Sequence, residues 1–162
     1  MKKLFGVMSF VLGIFSTVVI SMGSPGFLGK LSDSWSDWGD VAEAYSLMQN
    51  FARTGKNIGF VRSGEPGFNV LADVIGQNVT TVHPRSITDI VIVHTATFGG
   101  IKEQKVQVLL QGGGNSLPIA DFPVFQSWVS QAKSQDYLYS GLFWLFLAFV
   151  FGLLHHIVED DA

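Results

Sequence analysis

The sequence predicts an α+β protein in which two transmembrane helices, one N-terminal and one C-terminal, bracket a small extracytoplasmic α+β domain. Residues 4–22 and 137–158 contain no Asp, Glu, Lys or Arg, and a helix needs about 20 mostly apolar residues to cross a bilayer. The composition agrees, because 48% of the residues are hydrophobic and 14% are charged, whereas soluble domains carry about 25% charged residues.

The charge pattern divides the chain into four segments and predicts their orientation. We expect a transmembrane helix or uncleaved signal anchor at residues 1–23, a domain at 24–136, a second transmembrane helix at 137–158 and a short acidic tail at 159–162. Lys2 and Lys3 precede the first apolar run, and basic residues favour the cytoplasmic side. Both termini are therefore expected in the cytoplasm, and the domain in a periplasm, lumen or extracellular space.

A secretory signal peptide is the alternative interpretation of the first apolar run. Lys2 and Lys3 would form its basic region, and Ser21 and Gly23 are small residues suited to signal-peptidase recognition. The apolar region of a signal peptide is usually about 7 to 15 residues long, which is shorter than this run. We therefore expect the segment to be retained; cleavage would leave a protein with a single C-terminal span.

Small residues recur at helical spacing in both predicted spans. Such residues let helix backbones approach closely, which is what drives helices to associate in lipid. The spacing predicts a helix-packing surface that comprises Gly6, Ser9, Gly13 and Ser16 in the first span and Gly141, Ala148 and Gly152 in the second.

The central segment predicts helices and a small sheet. An amphipathic helix is expected at residues 32–53, with an apolar stripe that would either cover the domain core or lie at the membrane interface; the stripe is Trp35, Trp38, Ala42, Tyr45, Met48 and Ala52. Further helices are expected at 65–75 and 122–133, and strands at 57–62, 87–98 and 106–110, with a glycine-rich loop at 112–115. The expected architecture is two or three strands covered by helices.

Few residues of this segment suggest chemistry. The chain contains no cysteine, and its ten Lys and Arg residues are scattered at a net charge of −3, so thiolate sites are excluded and nucleic-acid binding is not expected. The Gly112–Gly114 run lacks the Lys-Ser or Lys-Thr of a phosphate-binding loop. His83, Asp89 and His94 are candidate metal ligands or acid–base groups, but Asp89 and His94 are five apart on one strand and should point to opposite faces. We predict no catalytic residue and no metal site.

His155 and His156 are the most suggestive ionisable residues, because they end an aromatic-rich span. An imidazole there could ligate haem or a chlorophyll-type pigment. Gly152 stands four residues before His156, which resembles light-harvesting polypeptides, where a small residue lies four positions before the ligating histidine. No cofactor is the leading expectation, and these two histidines are the alternative.

These observations favour a non-catalytic two-span membrane protein that serves as a structural or accessory subunit of a larger membrane complex. Its expected partners are the lipid bilayer and other membrane subunits or a second copy of itself, contacted through helix packing and the extracytoplasmic domain. An extracytoplasmic ligand-binding module and a pigment- or haem-binding subunit are the alternatives.

Overall fold

The computed structural model describes residues 2–24, 27–33, 36–53, 58–96, 102–114 and 116–160. Within these ranges the protein is α+β and carries a four-stranded antiparallel sheet. The elements, in chain order, are helices α1 (Lys2–Met22), α2 (Phe27–Asp33) and α3 (Asp37–Arg53), strand β1 (Ile58–Arg62), helix α4 (Phe68–Asn78), a 3₁₀ helix (Pro84–Ser86), strands β2 (Ile87–Ala96), β3 (Lys102–Leu110) and β4 (Ser116–Asp121), and helix α5 (Phe122–Asp160).

The chain forms two compact units. One, the paired-helix unit, comprises Met1–Ser32 and Lys133–Ala162, and the other, the sheet unit, comprises Asp33–Ala132. Helix α5 contributes its first residues to the sheet unit and the remainder to the paired-helix unit. It is 39 residues long, about twice the length that a membrane span requires.

The sheet is a meander in which each strand pairs with the next one along the chain. Val91 of β2 lies between Phe60 of β1 and Gln107 of β3, and Val108 of β3 pairs with Leu117 of β4. The three strands predicted from the sequence are present, but β3 begins four residues before the predicted Val106. Residues 57, 97 and 98 of the predicted strands lie outside the described residues. Strand β4 was not predicted. The expectation of two or three strands is therefore corrected to four. Residues 116–121 were missed because Pro118 and the preceding glycine run indicate a loop.

Alternation along the strands places one face of the sheet against the helices. Ile90 and Ile92 of β2 and Val106 and Val108 of β3 are each at most 1% exposed, as expected for side chains two residues apart on one face of a strand. Helices α3 and α4 contact β2, and α3 also packs on β1. The core that they share with the sheet includes Met48, Leu71, Ile75 and Phe125.

The helix expected at residues 32–53 is two helices, because α2 ends at Asp33 and α3 begins at Asp37. The buried stripe of α3 is Trp38, Val41, Ala44 and Met48; Ala42 is exposed, and Trp35 and the Ala52 side chain lie outside the described residues. Since Trp38 is only 8% exposed, it belongs to a buried stripe, as one of the two sequence interpretations expected.

Helix α4 begins three residues later than the predicted start at Glu65. Gly67 adopts a left-handed conformation with φ of 76° and precedes the first helical residue, Phe68. Glu65 and Pro66 therefore belong to the preceding turn, where the Glu65 carboxylate accepts a hydrogen bond from the Arg62 amide at 2.8 Å. A pattern of apolar residues cannot reveal such a backbone reversal, although glycine permits it.

Helix α3 approaches β1 so closely that a side chain at Gly59 does not fit. A Cβ atom there would lie 2.3 Å from the Met48 carbonyl oxygen and 2.8 Å from its Cα. Because these are backbone atoms, they cannot move aside as a flexible side chain would, and relief requires a shift of the helix. Overpacking of this kind costs about 1–3 kcal/mol.

We therefore predict that Gly59→Ala lowers the free energy of unfolding of the sheet unit by about 2 kcal/mol. Gly114→Ala is the matched control, because nothing lies within 4 Å of its Cβ position, and it should change the free energy by less than about 0.5 kcal/mol. Denaturant unfolding of the full chain in detergent, followed by circular dichroism, measures both. Equal stability of the two variants would contradict the close approach of α3 to β1.

Candidate functional site

Helices α1 and α5 pack antiparallel in the paired-helix unit through their small residues. The Ser9 hydroxyl donates a hydrogen bond to the Ala148 carbonyl at 2.8 Å, and the Ser16 hydroxyl donates one to the Gly141 carbonyl at 2.7 Å. Ser16 is only 1% exposed. These bonds pair side chains of one helix with the backbone of the other, which requires the two axes to lie close together.

The closest approach is at Gly141. A Cβ atom at this position would lie 2.2 Å from Cγ1 of Ile20 and 3.2 Å from the Ser16 carbonyl oxygen. Gly23 is also close to α5, because its carbonyl accepts a hydrogen bond from the Ser134 hydroxyl at 2.9 Å. The contact between the helices thus extends from α1 into the residues that follow it.

At the other end of the pair, glycines make room for side chains of the opposite helix. The ring of His155 lies over Gly6, with its Cδ2 atom 3.1 Å from the position that a Gly6 Cβ would take. The Ser9 hydroxyl lies 3.3 Å from the equivalent position at Gly152. Among the predicted packing residues, Gly13 differs, since nothing lies within 4 Å of its Cβ position.

The large side chains of these helices are exposed. Only 6% of the apolar segment of α1 and 11% of that of α5 is buried within the chain, so neither helix resembles the core helix of a soluble protein. Phe15 packs edge-on against Trp144, with ring centroids 5.2 Å apart, whereas others extend outward, including Phe10, Phe143, Phe146 and Phe149. Within the described ranges, two helices have the length and the apolar composition needed to cross a membrane.

A groove of about 1000 Å³ runs between α1 and α5. The surface of this groove is mostly apolar. Its walls combine small residues with large apolar ones, including Gly6, Gly13, Gly152, Phe10, Phe146 and Phe149. His155 and His156 line one end, and their rings meet edge-on with centroids 5.9 Å apart. The sequence singled out these histidines, but it did not predict the groove, because a groove depends on how two helices face each other.

The three polar candidates of the sheet unit are not brought together in the described part of the chain. His83 is exposed and accepts a hydrogen bond from the Arg85 amide through Nδ1 at 3.2 Å, which caps the 3₁₀ helix. Asp89 lies 3.5 Å from the Arg62 guanidinium. His94 pairs with Gln104 in the β2–β3 ladder, and its side chain lies outside the described residues. No group of three potential ligands is found in the ranges searched for a metal site.

The second face of the sheet carries a shallow depression that the sequence analysis did not single out. The Arg62 guanidinium lies over the Phe60 ring at 4.6 Å, and Val91 and Leu109 lie beside it in a cavity of about 550 Å³. In β1, Phe60 and Arg62 lie on one face of the sheet and Val61 on the other. The sequence of these three residues does not show which face is covered by helices and which is left without them.

Tyr45 is a half-buried residue of the sheet unit whose hydroxyl group is buried. Its ring packs against Phe122 and Phe125, with centroids 5.9 Å away in both cases. Its hydroxyl has no hydrogen-bond partner among the described residues. Burial raises the pKa of this phenol above its ordinary value, because a low-dielectric environment disfavours the charged form. Tyr45 therefore serves as an apolar packing residue.

Comparison of the chain with protein-family models, with curated proteins and with solved structures finds no match. The function is therefore inferred from the geometry of the chain. The two helices offer a packed contact, an outward apolar surface and a groove with imidazoles at one end. The first of these features can be tested directly, because the natural chain contains no cysteine.

We predict that the double variant Ser9→Cys/Gly152→Cys forms an intramolecular disulfide on mild oxidation. The 3.3 Å between the Ser9 hydroxyl and the Cβ position of Gly152 is close to the sulfur-to-Cβ separation across a disulfide. Val11→Cys/Gly152→Cys is the control, because Val11 is 54% exposed and points away from α5. Maleimide-polyethylene glycol labelling on denaturing gels counts the free thiols, and equal cross-linking of both pairs would contradict the described helix pair.

Proposed function

We propose that this protein is a non-catalytic two-span membrane protein that serves as a structural or accessory subunit of a larger membrane complex. The observation that carries the proposal is the α1–α5 pair, in which polar hydroxyls are turned inward onto backbone carbonyls and large apolar side chains are turned outward. In water this arrangement would expose an apolar surface of a kind that monomeric soluble proteins avoid. In a bilayer it is the favourable one.

The same contact supports retention of α1 as a membrane span. A signal peptide needs an apolar core and a cleavage site, and it has no need of a complementary surface on the mature protein. Here α1 places Ser16 and Ile20 against Gly141 at distances that allow no side chain on the α5 residue. A matched surface of this kind is expected if the two helices remain together.

Lys2 and Lys3 support a cytoplasmic N-terminus by the positive-inside rule. Two spans then return the C-terminus to the cytoplasm and leave the sheet unit outside it. The depression beside Phe60 on the sheet provides an apolar area with a charged rim, which is typical of surfaces that contact other proteins. An accessory subunit would use such surfaces in addition to its helices.

Orientation can be measured with single cysteines in the otherwise cysteine-free chain. In sealed spheroplasts or cells, we expect the Thr81→Cys variant, at an exposed position of the sheet unit, to react with a membrane-impermeant maleimide. The Ala162→Cys variant should react only after permeabilisation. The reverse labelling pattern would contradict the orientation, and a mass well below 17.7 kDa for the mature chain would show that α1 is cleaved.

Membership of a complex can be tested with native membranes and a mild detergent. We expect the chain to migrate on native gels in a band well above its own 17.7 kDa plus detergent, with partner subunits identified in that band by mass spectrometry. The variant Gly141→Leu should lose this high-mass band, because the leucine side chain would separate α1 from α5. Val11→Leu, on the exposed face, is the control. A monomeric band that contains no other protein would refute the accessory-subunit proposal.

A further inference from the structure

We propose that the groove between α1 and α5 is a binding site for one phospholipid, with the tail in the groove and the phosphate beside His155 and His156. The inference rests on the proposed insertion of both helices in a membrane. It deepens that proposal by naming a ligand, and it follows from the polarity, the length and the openness of the groove.

Polarity along the groove matches an amphipathic ligand. The two imidazoles are at one end, and the walls beyond them are formed by apolar side chains such as Phe10, Phe146 and Phe149. Ser9 also lines the groove, but its hydroxyl already donates to the Ala148 carbonyl. The histidine end is therefore the more polar end of the groove.

The groove is comparable in length to a lipid tail. It extends from Gly6 to Gly13 along α1 and from Leu142 to His156 along α5, which are about 10 Å and about 21 Å at the helical rise per residue. Half of the hydrocarbon core of a bilayer is roughly 15 Å thick, which lies between these two lengths. On α1 the groove ends at Gly13, the midpoint of the uncharged run 4–22, whereas on α5 it continues beyond the middle of the run 137–158 to Leu142.

Size and chemistry agree with a lipid tail and a phosphate. The volume of about 1000 Å³ is at the upper end of the range of about 300–1,000 Å³ for ligand pockets. Imidazole N–H groups can donate hydrogen bonds to phosphate oxygens, and Lys3 is one helical turn from Gly6.

The open space beside Gly13 allows a substitution that tests whether a lipid tail occupies the groove. Nothing lies within 4 Å of its Cβ position, so Gly13→Leu should fill the tail site without touching the α1–α5 contact. Val11→Phe is the matched control, because it adds bulk on the exposed face of the same helix. His156→Gln removes an imidazole at the headgroup end and leaves the His155 ring on Gly6.

The experiment is native mass spectrometry of the full chain, purified in mild detergent and incubated with phosphatidylethanolamine. We expect one bound lipid per chain, about tenfold less in Gly13→Leu, about fivefold less in His156→Gln through loss of a hydrogen bond to the phosphate, and an unchanged amount in Val11→Phe. Formation of the Ser9→Cys/Gly152→Cys cross-link in a separate version of each variant verifies that the helix pair is intact; these versions are not used for the lipid measurement, because Ser9 and Gly152 line the groove.

Several results would overturn the proposal. Equal retention by Gly13→Leu and Val11→Phe would show that the groove holds no lipid. Loss of a dimer in Gly13→Leu would assign the groove to a second copy of the chain, and visible absorption bands in the protein purified from native membranes would assign it to a tetrapyrrole. Extraction of the chain from membranes by alkaline carbonate would instead refute membrane insertion itself.

Discussion

The backbone contact between α1 and α5 at Gly141 is the constraint on which the paired-helix unit depends. The Gly141 carbonyl accepts the Ser16 hydroxyl, and Ile20 occupies the space where a side chain of residue 141 would be. Helices that approach this closely leave no room for bulky residues between them. Most of the large side chains therefore lie on the outer surface, while Phe5 and Phe15 contact rings of α5. With the membrane insertion proposed above, the outer surface contacts lipid or other apolar helices.

A similar constraint acts in the sheet unit, where Gly59 lies under the backbone of Met48. Here the driving force is different, because α3 and α4 bury one face of the sheet away from water. Burial of this kind favours folding at about 25 cal/mol per Å² of apolar surface. With the proposed insertion of α1 and α5 in lipid, that term is absent between the two helices, and close packing and hydrogen bonds such as Ser9 to Ala148 take its place.

Periodicity predicted the features that depend on one segment alone. The spacing of Gly6, Ser9 and Ser16 and the run from Ile90 to Val93 are local patterns, and they identify a helix face and a buried strand. Features that depend on backbone conformation were predicted less well. Gly67 delays the start of α4, and Pro118 does not prevent β4 from pairing at the edge of the sheet. The continuity of α5 was also missed, because a charged stretch at Lys133 and Asp136 resembles a boundary.

The groove could not be predicted from the sequence of either helix, because it forms where α5 does not cover all of the small residues of α1. Ser9 and Ser16 are covered by α5 carbonyls, but Gly13, between them in sequence, faces open space. On a helix with 3.6 residues per turn, positions 9, 13 and 16 do not lie on one line, so a straight partner helix cannot cover all three. A row of small residues therefore serves two purposes: part of it brings the helices together, and the remainder leaves space beside them for another apolar molecule.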